Sequence, residues 1–112
     1  MLNDSSAKFF ISSDNGGVLQ VRNRRVVWTE GPLLTIEDVF VTATKRRNGH
    51  CTALLLATIA YGKSVNAARI DVDVNEFNET AMSAYGKVGF DRRNPLIDGS
   101  TDILMRYWIQ DH

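Results

Sequence analysis

Apolar positions in the first third of the chain come in short β-prone runs broken by turn-forming residues. Lys8–Ser13 is followed by Asp14-Asn15-Gly16-Gly17, and Val18–Arg22 by Asn23-Arg24. Glycine takes positive φ cheaply and asparagine tolerates it, so both breaks suit hairpins. Arg25–Thr29 and Leu34–Val41 follow, with Gly31-Pro32 as the loop between them. Four strands in succession predict an antiparallel meander.

The period changes after Lys45-Arg46-Arg47-Asn48-Gly49. From His50 to about Ser64, the positions Cys51, Leu54, Leu55, Thr58, Tyr61 and Gly62 recur at three-four spacing, which puts them on one face of a helix. Arg69–Val74 alternates, with Ile70, Val72 and Val74 on one side and Asp71 and Asp73 on the other, as a strand with one buried face does. Asn78 is a good N-cap for a second helix running to about Lys87. Gly89–Arg92 and Ile103–Tyr107 read as closing strands, with Asn94–Ser100 a polar loop between them. The order β-β-β-β-α-β-α-β-β predicts an α/β or α+β fold with a mixed sheet.

Composition narrows the function classes. With 112 residues, 44% hydrophobic and 23% charged, the chain suits one domain with one core, spanning 1–112. Its formal net charge is zero, so no global field draws it to nucleic acid or to an anionic membrane. The lone Cys51 rules out an intrachain disulfide, and no apolar run approaches the ~20 residues that span a bilayer, so a cytoplasmic location is expected. His50, Cys51 and His112 do not form a metal pattern. Gly62-Lys63-Ser64 looks like the end of a Walker loop but has Ala57 where that loop needs glycine.

The chemistry concentrates where the run Ile36–Val41 feeds a basic, glycine-containing turn that opens the long helix. Free backbone N–H groups and the positive helix end then point at one place, which suits a phosphate or pyrophosphate. A second stretch, Asn78-Glu79-Thr80-Ala81-Met82-Ser83-Ala84-Tyr85-Gly86-Lys87-Val88-Gly89-Phe90, lies one strand further on.

Together the two stretches resemble the GCN5-related N-acetyltransferase (GNAT) family. Arg46, Gly49 and Cys51 match its Arg/Gln-x-x-Gly-x-Gly/Ala loop, and Asn78, Ala81, Tyr85, Lys87, Gly89 and Phe90 match its second signature. The run Ile36–Val41 looks like the spermidine/spermine N-acetyltransferase type within that family. There are departures: Cys51 replaces a small residue, Ala84 replaces an aromatic, and the family's usual first strand and two following helices have no space here.

The resemblance implies a GNAT-like mixed, largely antiparallel sheet with two main helices and direct acetyl transfer from acetyl-CoA to a primary amine. Glu37 resembles the family's glutamate and, by alternation, would share a face with Val39 and Val41 as the general base. Tyr85 would be the general acid for the leaving thiolate, and N–H groups from Val39, Phe40 and Val41 would meet the oxyanion. Arg46, Arg47, Asn48, Gly49, His50, Cys51, Thr52 and Ala53 would hold the pyrophosphate, with Asn78 and Lys87 beside the cofactor. No metal is implied. The alternative is a non-catalytic acyl-CoA-binding module of the same fold. The absent N-terminal elements would leave a surface for a second subunit, so a homodimer is expected.

Overall fold

In a computed structural model, residues 5–12, 16–25, 31–41, 49–95 and 101–110 are described. They form β1 (Ser5–Ile11), β2 (Gly17–Arg24), β3 (Leu33–Val41), α1 (His50–Ser64), β4 (Arg69–Asn75), α2 (Glu79–Lys87), β5 (Asp91–Pro95) and β6 (Asp102–Trp108). The six strands make one sheet in the order β1-β2-β3-β4-β6-β5. Only β3 and β4 run parallel, so the sheet is mixed and largely antiparallel. The predicted strand over Arg25–Thr29 is not among these: Arg25 lies beyond β2, and 26–30 lies outside the described residues. The predicted polar loop after Arg92 is partly strand, because β5 continues to Pro95.

Burial explains why the helices lie where they do. Leu54, Leu55, Thr58 and Ile59 of α1 are buried against a core that includes Leu19, Val21, Leu34, Ile36 and Ile70. The three-four spacing therefore becomes one packed face. The Thr58 hydroxyl donates to the Leu54 carbonyl at 2.8 Å, which lets a polar residue sit in that core. The helix α2 joins the same layer through a ring stack in which Tyr85 meets Phe90 at 5.7 Å and Phe90 meets Tyr107 at 5.6 Å.

The opposite face carries charge and stray apolar groups. Asp71, expected on an exposed side, is only 9% exposed. Arg69 and Arg106 donate to it at 3.0 and 3.2 Å, and both guanidiniums lie over the Trp108 ring. These two partners neutralise the carboxylate and make its partial burial tolerable. On the same face, Ile11, Val18 and Phe40 form one cross-strand row with large exposure. No helix among the described residues is long and apolar enough to cross a membrane.

Two irregularities shape one end of the sheet. The β3–β4 ladder runs only from Leu33↔Arg69 to Ile36↔Val72, although both strands continue. Beyond that point β3 stays paired with β2 alone. The β2–β3 register also slips: Val21 faces Ile36 but Gln20 faces Asp38, which leaves Glu37 as the extra residue of a bulge.

Gly17 pairs with Val41 at this end and lets α1 approach the sheet. A Cβ there would come within 2.9 Å of the Phe40 carbonyl oxygen and 3.2 Å of Leu54 Cδ1. Gly17→Ala should therefore destabilise the fold by ~1–3 kcal/mol, the range for overpacking, read from the urea midpoint.

Candidate active site

The opened end of the sheet is the floor of a cleft of about 820 Å³. Val39, Phe40 and Val41 of β3 line it from below, Gly49, Cys51 and Thr52 from the start of α1, and Asn78, Tyr85 and Lys87 from α2. Residues predicted from two separate sequence stretches thus meet across one opening. Arg46, Arg47 and Asn48 lie outside the described residues. Ala53 follows directly in α1, with its N–H donating to the Gly49 carbonyl at 2.9 Å.

The start of α1 is arranged for an anion. Gly49 is its N-cap at φ 81, a left-handed backbone that glycine adopts without strain. Among the described residues nothing lies within 4 Å of where its Cβ would be, and the positive φ itself calls for glycine. Among the described residues no side chain caps this helix, and no acidic residue occupies its first turn. The N–H groups of His50, Cys51 and Thr52 precede the first intrahelical bond and are left pointing out of the helix end. They can donate to a phosphate group, supported by the helix dipole. The residues present therefore fit the phosphate portion of a nucleotide cofactor.

The floor supplies a second set of donors. In an antiparallel pair, successive residues alternate between bonding their partner and pointing away from it. Past Ile36 the outward-pointing N–H groups of β3 meet no β4 ladder and face the opening. Such fixed donors suit an oxyanion.

Tyr85 stands above that floor and is buried. Burial, with smaller contributions from Cys51 and Asp38, pushes its phenol up to about 12. It therefore carries its proton at neutral pH and can act as an acid. Cys51 is half-buried, and burial pushes its thiol up as well, which keeps it protonated and a poor nucleophile. Asn78 caps α2, its Oδ1 accepting from the Ala81 N–H at 3.1 Å, and lines the cleft at the same time.

Glu37 requires a correction. The bulge shifts its parity, so it does not share a face with Val39 and Val41. Its carboxylate instead accepts from Arg22 Nε at 2.8 Å and from Gln20 Nε2 at 3.3 Å, on the side away from the helices. It is not among the residues lining the cleft. Thr80, Ala81 and Ala84 do line it and had not been singled out as binding residues. Their signal was available, since 80, 81, 84 and 85 share one helical face. Among the described residues no three His, Cys, Asp or Glu side chains are grouped as a metal would need.

Comparison with known proteins identifies the family and the fold. The sequence profile of the acetyltransferase (GNAT) family matches residues 4–90. No match was found among curated proteins. Among solved structures, Arabidopsis thaliana NAA60 in complex with acetyl-CoA is similar at 21% identity and a TM-score of 0.70, over 84% of this chain and 65% of that one. The ribosomal-protein-S18-alanine N-acetyltransferase of Escherichia coli is similar at 22% identity and 0.63, over 86% and 70%. A GNAT-family acetyltransferase of Streptococcus pneumoniae is similar at 18% identity and 0.69, over 84% and 60%. The chain thus spans under two thirds of the length of the first and third of these structures.

The raised phenol has a sign that can be checked. Its contribution to stability is intact below pH ~10, where even an unfolded tyrosine is neutral, and is lost as pH rises towards about 12. Tyr85→Phe should remove the phenolate absorbance step near pH 12 and leave the alkaline limb of the stability curve flatter.

Proposed function

Because the chain belongs to the GNAT acetyltransferase family, we propose that it transfers an acetyl group from acetyl-CoA to a primary amine by direct attack. The observation that carries this reading is the meeting of an uncapped helix start and a neutral, buried Tyr85 across the opening between β3 and β4. Acetyl-CoA supplies an activated acetyl thioester at one end and a pyrophosphate at the other.

The chain's own residues divide the work. The first-turn N–H groups of α1 hold the pyrophosphate, joined by Arg46 and Arg47, which precede the helix in the sequence. The outward N–H groups between Val39 and Val41 receive the carbonyl oxygen as it gains charge. Tyr85 donates its phenolic proton to the departing sulfur, and Lys87 and Asn78 flank the cofactor from α2. Direct transfer is favoured over a cysteine-bound intermediate because Cys51 is held protonated.

We further propose a homodimer. Phe9 is 53% exposed and Ile11 65%, both on β1 and on the face that the helices leave open. A second copy covering them removes that apolar surface from water. Equilibrium sedimentation at micromolar concentration should give the dimer mass, and a monomer alone would contradict the assembly.

The test of the reaction is acetyl-CoA turnover with a panel of amines and peptides, followed by thiol release. Tyr85→Phe should lower kcat by ~10²–10⁴-fold, the usual worth of a positioned acid, with acetyl-CoA affinity retained. Binding without turnover for every amine would instead support a non-catalytic acyl-CoA module.

A further inference from the structure

The two edges of the sheet are built differently. β5, at one end, reads Asp91-Arg92-Arg93-Asn94-Pro95, and charges with a terminal proline are the usual guards against another strand. β1, at the other end, reads Ser5-Ser6-Ala7-Lys8-Phe9-Phe10-Ile11, with a single charge and no proline. Among the described residues no strand pairs with its outer side.

The register says which groups that side presents. The Ser12 N–H donates to the Gly17 carbonyl at 3.0 Å, in step with Ile11↔Val18. Bonded pairs alternate along an antiparallel ladder, so Ser6, Lys8 and Phe10 bond to β2, and the N–H and C=O groups of Ala7, Phe9 and Ile11 point outwards. The side chains of these three stand on the sheet face without helices, where Phe9 is 53% and Ile11 65% exposed. An open backbone edge and an apolar surface therefore coincide.

Resting on the homodimer reading and giving it a geometry, we propose that two copies pair β1 with β1, antiparallel, about a two-fold axis at Phe9. The two six-stranded sheets then become one. Outward groups must meet outward groups, so the axis falls at Lys8, Phe9 or Phe10. An axis at Lys8 sets two like charges directly opposite, which destabilises a pair of strands. An axis at Phe10 overlaps only residues 9–11 of β1.

The axis at Phe9 overlaps residues 7–11 and matches every member. Phe9 meets the partner's Phe9, and the small Ala7 leaves room for the partner's Ile11. Lys8 meets the partner's Phe10; its Nζ already lies 5.8 Å from the Phe10 ring of its own chain, so the pairing sets a second ring beside the charge. The apolar row Phe40, Val18 and Ile11 runs on across the interface to the partner's Ala7. With a formal net charge of zero, no overall repulsion holds the copies apart.

The experiment joins cross-linking to sedimentation of the full chain. Opposite residues of a bonded pair have Cα atoms about 5.5 Å apart, within disulfide range, whereas diagonal neighbours stand about 7–8 Å apart, beyond it. Phe9→Cys should therefore oxidise to a linked dimer at least about tenfold faster than Lys8→Cys or the wild type with its Cys51. Ala7→Pro removes an outward N–H and spares the β2 ladder, so it should raise the dimer dissociation constant by roughly 10- to 100-fold, two symmetry-related hydrogen bonds being lost. Ala7→Val keeps the donor and should stay dimeric, and unchanged far-UV circular dichroism verifies folding of both.

Faster linking of Lys8→Cys, or an Ala7→Pro protein as dimeric as the wild type, would overturn the edge pairing while leaving the homodimer in place. If Ala7→Pro does not fold, the cross-linking comparison alone decides. A wild type that sediments only as monomer would overturn the homodimer and this inference together.

Discussion

The parallel ladder between β3 and β4 stops after Ile36↔Val72 while both strands run on, and the rest of the site follows from that. A strand that loses its neighbour keeps its outward N–H and C=O groups but has nothing to bond them to. In a buried sheet that loss is a defect. Here it lies under the start of α1 and beside α2, where a ligand can satisfy the freed groups. The fold thus exchanges a few backbone hydrogen bonds for a cleft floor of fixed donors.

The helices complete the arrangement because the β3–α1–β4 crossover must begin α1 at the end of β3 where the ladder has opened. Its uncapped first turn, led by Gly49 in a left-handed conformation, then points into the same space. The aromatic stack from Tyr85 through Phe90 to Tyr107 ties α2 to β6 and keeps the phenol buried above the floor. Burial pushes the Tyr85 phenol from its ordinary range up to about 12, so the packing of α2 sets how tightly the site's acid holds its proton.

Much of this was legible in the sequence, and the exceptions have physical causes. The bounds of α1 were read correctly because its apolar spacing, its preceding glycine and its polar exit agree. Asn78 was recognisable as a cap from residue type and position alone. The bulge was not visible, because Glu37 and Asp38 are both polar and a slip in alternation between them changes no apolar position. That slip turned Glu37, which had been expected to serve as the base, to the face away from the cleft. The burial of Asp71 was also hidden, since one of its partners, Arg106, comes from a strand 35 residues away. Thr80 and Ala84 were overlooked because small and hydroxyl side chains carry no chemistry until a cleft forms beside them.

The central claim is that the opened β3 edge and the first turn of α1 together grip the pyrophosphate and thioester ends of one cofactor. Residue-resolved amide hydrogen exchange with and without acetyl-CoA tests it most directly. The account predicts that the largest gain in protection falls at Cys51 and Thr52, with a second gain at the outward N–H groups of β3 within Val39–Val41. Protection confined to other parts of the sheet, or a helix start that exchanges as fast with acetyl-CoA as without it, would contradict the account.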